Sequence, residues 1–171
     1  MNYVKLGKSG LEVSRVCLGT MMFGEPTPEE ESVALVRAAL DHGINFFDTA
    51  DKYGSGKSEV IVGKALAGVR DEVVLATKVG LAVDRTGPNS SGTSRKRIRE
   101  AAEASLRRLG TDHIDLYYLH TFDATTPLEE SLTALDDLIR AGKVLYVGVS
   151  NFRAWQVVHA LGLQELHDWD R

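Results

Sequence analysis

Four side chains of this sequence could move a proton and steady a developing negative charge: Asp48, Tyr53, Lys78 and His120. The first two lie in the stretch DTADKYGSGKSE, residues 48–59, and the other two close the apolar runs VVLATK and IDLYYLH. A free phenol has a pKa of about 10 and donates poorly at neutral pH. A nearby ammonium favours the phenolate and so makes the phenol a stronger acid, each unit being worth about 1.4 kcal/mol. A carboxylate beside the lysine keeps the lysine charged. Asp48, Tyr53 and Lys78 could combine in this way if adjacent strand ends bring them together. A neutral His120 could then hold a carbonyl oxygen through its N–H, aimed at the charge that forms there.

The same stretch offers a rival reading. Gly54-Ser55-Gly56-Lys57-Ser58 looks like the tail of a phosphate-gripping loop of pattern G-x-x-x-x-G-K-[ST]. Its first glycine would fall at position 51, which holds Asp51. Asp48 and Asp51 would also bring the wrong sign of charge towards a polyphosphate, so this reading is disfavoured. Each residue has a plainer role too. Asp48 could be a strand-end or helix-capping acid, Tyr53 a half-buried surface aromatic, His120 a satisfied core histidine. Ser150-Asn151 could cap the last helix. A lysine inside an apolar strand, as Lys78 is, is unusual unless paired.

His42, His113, His159 and His167 show no metal-ligand spacing and read as surface or helix-end residues. No Gly-x-Ser-x-Gly elbow is present. The basic run Arg95-Lys96-Arg97, with Arg99, Arg107 and Arg108, is interleaved with Glu100 and Glu103, and reads as a solvated helix face rather than a nucleic-acid surface. Cys17, in an apolar run, reads as inert packing.

The elements that must position these residues alternate. Apolar runs at Val16–Thr20, Asn45–Thr49, Val73–Val79, Ile114–His120 and Val144–Ser150 read as strands buried on both faces. Between them lie helical patterns. Thr27-Pro28-Glu29-Glu30 offers an N-cap, a first-turn proline and a capping-box glutamate, and Thr126-Pro127-Leu128-Glu129 repeats it. Arg95–Leu109 is apolar at helical spacing, and Ser58–Leu66 and Arg153–Leu161 are shorter helices. Tyr3–Leu6 and Glu12–Arg15 flank a turn and form a plausible hairpin. Gly87–Thr93 reads as a mobile loop. Strand and helix alternate through five rounds, which implies parallel strands with right-handed crossovers. An open doubly wound sheet and a closed barrel both fit, and in both the chemistry gathers at the carboxyl ends of the strands.

The 171 residues, 43% hydrophobic and 26% charged, suit one soluble domain, residues 1–171. The net charge of −4 argues against a nucleic-acid partner. A single cysteine points to a reducing, cytoplasmic location. The N-terminal MNYVKLGKSG lacks a secretory apolar region, and no apolar run approaches the ~20 residues of a membrane span.

GINFFDTADKYGSGKSEVIVGKAL, VVLATKVG, IDLYYLH and GKVLYVGVSNF, with LGTMMFG near the start, resemble the aldo-keto reductases in order and spacing. The resemblance runs from residue 3 to about residue 170. It implies an α/β fold of the (β/α)8 TIM-barrel type with an N-terminal hairpin under it. It also implies reversible hydride transfer between NADPH, or NADH, and an aldehyde or ketone, with no metal. Carried over by position, Tyr53 is the general acid, Lys78 tunes it, Asp48 pairs with Lys78 and His120 orients the carbonyl. Ser150 and Asn151 hold the nicotinamide carboxamide, and Gly19, Thr20 and Met21, with Asp48, line the cofactor floor. A full barrel needs eight strands and roughly 250 residues. The hairpin and five βα units here therefore suggest an incomplete, truncated barrel with open edges at Val16–Thr20 and Val144–Ser150. Such edges invite self-association or a complementing chain. This length of chain is expected to bind NADPH weakly and to turn over slowly if at all. A non-catalytic interaction or cofactor-sensing protein on the same scaffold is the alternative.

Overall fold

A computed structural model describes residues 1–83 and 86–170. An antiparallel hairpin, β1 (Tyr3–Lys5) and β2 (Glu12–Ser14), comes first. Then follow β3 (Leu18–Gly19), α1 (Glu29–Asp41), β4 (Phe46–Asp48), α2 (Lys57–Leu66), β5 (Val74–Val79), α3 (Arg95–Leu109), β6 (Ile114–Leu119), α4 (Leu128–Arg140), β7 (Val144–Val149) and α5 (Ala154–His167). Strands β3 to β7 form one parallel sheet whose spatial order is their chain order. A doubly wound sheet reverses its order at a switch point. This sheet does not, and it matches part of a (β/α)8 barrel.

The two faces of the sheet are packed differently. Phe46, Val74, Ala76 and Leu116 gather on one face with Val13 of the hairpin and no helix residue. Phe47 and Leu75 pack on the other face against Val36 of α1 and Ile61 and Val62 of α2. Tyr117 and Leu119 pack there against Ile98 of α3 and Leu132 and Leu135 of α4. The period-two alternation of each strand sorts its residues between a hairpin-capped interior and a helix-covered exterior. Asn45 ties the hairpin to the barrel wall: its Oδ1 accepts from Ser14 N–H at 2.7 Å and its Nδ2 donates to Glu12 O at 3.2 Å.

Local chemistry departs from the sequence reading in several places. α1 and α4 start one residue later than their threonine caps imply, with Pro28 and Pro127 as caps and no side-chain cap bond. The Thr126 hydroxyl donates instead to Asp123 Oδ2 at 2.8 Å. The glutamates of each first turn, Glu29 to Glu31 and Glu129 with Glu130, still suit the helix dipole. α3 has the expected bounds, with Ser94 Oγ accepting from Arg97 N–H and Gly110 left-handed at its end. α5 runs past Leu161 to His167, because Gly162 is tolerated inside it and Asp168, at φ 53°, takes the left-handed capping position. β5 is buried throughout, but β7 is half exposed, being paired on one side only. The Gly87–Thr93 loop is tied at its end: Gly92 N–H donates to Gly80 O and Thr93 N–H to Asp123 Oδ2.

Candidate active site

Asp48, Tyr53, Lys78 and His120 converge at the carboxyl ends of β4, β5 and β6. Asp48 is the last residue of β4 and pairs in register with Gly19 and Ala76. Lys78 pairs with Tyr118, and Tyr118 with Gly148. An alanine Cβ at 148 would lie 2.6 Å from Tyr118 Cε1, so glycine makes room for that ring. Lys78 is only 6% exposed, and a buried ammonium must be fully paired. It is: Nζ donates to Asp48 Oδ1 at 2.5 Å, Thr49 O at 2.7 Å and Tyr53 Oη at 3.2 Å. Three protons meet three acceptors. Because Tyr53 Oη accepts from the lysine, its own proton is left for another group.

Tyr53 opens a short 3-10 turn, Tyr53–Gly56, that leads into α2. Gly54, Ser55 and Gly56 have φ of 53°, 55° and 92°, a left-handed path that glycine permits cheaply. A Cβ on Gly56 would also come 2.8 Å from Arg108 Cδ. These glycines shape the turn that presents the phenol.

The His120 ring packs edge-on against Tyr53, with centroids 5.8 Å apart. Burial lowers the His120 pKa, and the Lys78 ammonium lowers it further against the weaker opposing pull of Asp48. The ring is therefore neutral at neutral pH. Asn151, left-handed at φ 56°, donates from Nδ2 to His120 O at 2.8 Å and to Ser150 Oγ at 3.0 Å. Ser150 and Asn151 thus flank His120.

Gly19 ends β3 beside Asp48, and Thr20 and Met21 follow it. Gly19 and Met21 are exposed, whereas Thr20 is fully buried. Thr20 Oγ1 donates to Asp48 O at 3.0 Å. Ser58 Oγ donates to Thr20 O at 2.8 Å and lies 2.9 Å from Thr49 Oγ1. The Thr20 and Ser58 hydroxyls are also 2.8 Å apart, so with Ser58 giving to Thr20 O, Thr49 gives to Ser58 and Thr20 shares its proton between Asp48 O and Ser58 Oγ. Ser58 therefore pins the segment that carries Asp48 and the Thr49 carbonyl. Its neighbour Lys57 is exposed and paired with Glu25.

Two ion pairs behind the sheet, Glu59–Arg108 and Arg97–Asp51, escaped the sequence reading. Glu59 is fully buried, accepting from Thr77 Oγ1 at 2.6 Å and pairing with Arg108 at 2.6 Å. Arg97, read as part of a solvated face, is buried against Asp51 at 2.7 Å. Cys17 is corrected the other way. It is exposed rather than packed, because β3 has a neighbour on one side only. Partial desolvation and the Asp48 carboxylate push its thiol up to about 12. Tyr118, on the same inner face, is also pushed to about 12, by burial and then Asp48.

The family model described as Aldo/keto reductase family matches residues 15–170, and the chain belongs to that family. It is 48% identical over 170 residues to the uncharacterized oxidoreductase YrpG of Bacillus subtilis (strain 168), covering 94% of this chain and 52% of that protein. It is 42% identical over 181 residues to the versiconal hemiacetal acetate reductase of Aspergillus parasiticus, covering 91% and 52%. It is 39% identical over 172 residues to a probable voltage-gated potassium channel subunit beta of Arabidopsis thaliana, covering 98% and 52%. The chain spans about half the length of these curated relatives. Among the described residues, no helix is long and apolar enough to cross a membrane.

Proposed function

We propose that this chain carries the proton-donating half of an NAD(P)H-dependent carbonyl reductase site, with Tyr53 as general acid. The observation that carries the reading is the proton count at Lys78. The ammonium gives all three of its hydrogens away, one of them to Tyr53 Oη, so the phenol's hydrogen is free to pass to a carbonyl oxygen. As it leaves, negative charge grows on Oη, and the ammonium 3.2 Å away stabilises it. Asp48 keeps that ammonium charged.

His120 has a buried Nδ1 without a partner. A neutral ring with its proton on Nε2 leaves a lone pair there, a milder orphan than a buried N–H. Nε2–H then serves to orient the carbonyl oxygen beside Tyr53. Ser150 and Asn151 fit a nicotinamide carboxamide. Asn151 Nδ2 is committed to His120 O and Ser150 Oγ, which leaves Asn151 Oδ1 to accept and the Ser150 hydroxyl to donate. A reduced nicotinamide held there supplies the hydride. NADPH is the favoured form and NADH the second. The substrate class is an aldehyde or ketone, in a cytoplasmic setting. The open edges at β3 and β7 would take further strands, from a complementing chain or a second copy.

The test pairs cofactor binding with turnover. Titrating NADPH fluorescence against the protein measures affinity, and loss of NADPH absorbance with a panel of aromatic and aliphatic aldehydes measures reduction. Tyr53→Phe should keep the affinity and lose turnover by about a hundredfold or more. Equal turnover in the two proteins would remove Tyr53 from its role. The channel-subunit relative favours a second reading, a cofactor-sensing interaction protein. That reading predicts NADPH binding with no turnover in the wild type against any aldehyde of the panel.

A further inference from the structure

Arg95, Lys96 and Arg97 place three cations in the first turn of α3. That is where the helix dipole and unpaired N–H groups favour anions. Each cation has an acid. Arg95 pairs with Asp137 of α4 at 2.8 Å, Lys96 with Glu100 one turn on, and Arg97 with Asp51 at 2.7 Å. The first two pairs are solvent-exposed and contribute little. The third is buried, with Arg97 6% and Asp51 1% exposed.

A buried ion pair seldom outperforms apolar packing in stability, so its best-supported use is to fix geometry. Asp51 stands midway between Asp48 and Tyr53. Its N–H donates to Lys78 O at 3.3 Å, and Tyr53 N–H donates to Ala50 O at 3.1 Å. Between the end of β4 and the turn at Tyr53, the segment keeps two backbone bonds to β5, from Thr49 N–H to Ala76 O at 2.9 Å and from Asp51 N–H to Lys78 O, and Lys52 has none there. Ser58 of α2 holds the start of the segment at Thr49, and the side-chain grip of Arg97 on Asp51 is its tie to α3.

We propose that Arg97 is a positioning residue for Tyr53, acting through Asp51: the α3 guanidinium holds the Asp48–Tyr53 segment from behind the sheet so that the phenol stays in reach of Lys78. The chemical consequence rests on Tyr53 being the general acid; the positioning itself does not. The groups that face Asp51 are Arg97 and Arg108 of α3, Glu59 of α2 and the phenol of Tyr117 of β6. Burial raises the Asp51 carboxyl to about 6, against the opposing pull of Arg97 and with a further push from Glu59. The anchor is thus charged at neutral pH and slackens on mild acidification.

The readout is carbon NMR of protein labelled at tyrosine Cζ, with Tyr53 assigned from Tyr53→Phe. Lowering the pH of the wild type through about 6 should move the Tyr53 resonance. His120 lies against that ring and adds its own step, so Asp51→Asn is the control, in which the Asp51 step disappears. At neutral pH, Arg97→Met should displace the Tyr53 resonance by more than its linewidth, and Arg97→Lys, which keeps the charge but not the fork, should restore it in part. If Arg97→Met loses native near-ultraviolet circular dichroism, the neutral double variant Asp51→Asn/Arg97→Met carries the same test without a lone buried charge. A Tyr53 resonance at the wild-type position in either folded variant overturns the proposal. None of these readouts needs turnover. Failure of the reductase reading would appear instead as equal turnover in Tyr53→Phe.

Discussion

Ser58→Ala tests whether the hydroxyl knot under the candidate site holds it in place. The substitution removes one donor and one acceptor from a fully buried position. The two neighbours fare differently. Thr20 O also accepts from Phe23 N–H at 3.1 Å and stays satisfied. The Thr49 hydroxyl loses the acceptor that the proton assignment gives it, 2.9 Å away. An orphaned buried donor costs about 1–3 kcal/mol and a lost hydrogen bond about 1, so the sum is about 3 kcal/mol. With a urea slope of about 2 kcal/mol/M, the unfolding midpoint should fall by about 1.5 M. Ser32→Ala is the internal comparison. Ser32 is equally buried, but the Pro28 carbonyl it serves also accepts from Ser32 N–H at 2.9 Å, so no group is orphaned. Its cost should stay near 1 kcal/mol. The decisive arm is Ser58→Ala/Thr49→Val, which removes the orphan with its former acceptor and should recover roughly half the loss. If the two substitutions are strictly additive, or if Ser58→Ala moves the midpoint by under about 0.3 M, the knot does not hold the segment.

Three further outcomes follow from the geometry. Helix propensity favours Gly63→Ala by about 1 kcal/mol, yet the new Cβ would lie 2.3 Å from Leu109 O and 2.6 Å from Leu109 C, both backbone atoms of α3. Stability should therefore fall by about 2 kcal/mol or more, lowering the urea midpoint by about 1 M, and a rise would refute the close α2–α3 approach. Lys78→Met removes an ammonium that depresses His120, so the His120 ring should titrate at higher pH in an NMR titration of its Hε1 proton; an unchanged or lower midpoint would separate the two side chains. Asp51 binds its proton more tightly folded than unfolded, about 6 against an ordinary 3.8. Its contribution to stability is therefore full below the lower value and is lost as pH rises through the upper one, by about 3 kcal/mol at most. The difference in urea midpoint between wild type and Asp51→Asn should decline across that window, and an increase would refute the raised value.

Much of the candidate site was legible because Asp48, Lys78 and His120 lie within one residue of the strand ends. VVLATK stops on its one charged residue and IDLYYLH on its histidine, so a reading of strand ends already finds Lys78 and His120. The bounds of α3 were legible for a similar reason, since Ser94 and Gly110 punctuate a strongly periodic stretch. The burial of Arg97 was not. Interleaved charges make a helix face look solvated, and the acid that buries this one lies 46 residues earlier in a loop. A sharper signal was present in the first turn of α3, where three successive cations oppose the dipole and need partners from elsewhere. Cys17 misled because its run is apolar, although burial at this end of the sheet, just before β3, also requires a second neighbouring strand. The proline caps misled because a threonine before proline can spend its hydroxyl elsewhere, as Thr126 does on Asp123.

The two buried charge networks also explain why the register of β5 is well defined. Lys78 points into the interior, to Asp48, Thr49 and Tyr53. Thr77, one residue earlier, points outward to Glu59, which Arg108 neutralises. Tyr117 and Tyr118 divide in the same way on β6. A slip of one residue would turn every side chain to the opposite face. Lys78 would then face the helix layer with its three acceptors lost, and Glu59 would lose the Thr77 hydroxyl. Leaving the buried Lys78 charge without its partners costs about 3–5 kcal/mol, and the hydrogen bond that Glu59 loses adds about 1.5–3 kcal/mol on the other face. That exceeds what a short apolar strand could recover by re-pairing, where a whole buried leucine or valine is worth only about 1.5–3 kcal/mol. The candidate site residues on one face and the Glu59 network on the other therefore enforce the same alignment. The apolar residues of β5 specify it less sharply, because both faces of this strand are buried and valine or leucine would be accepted on either.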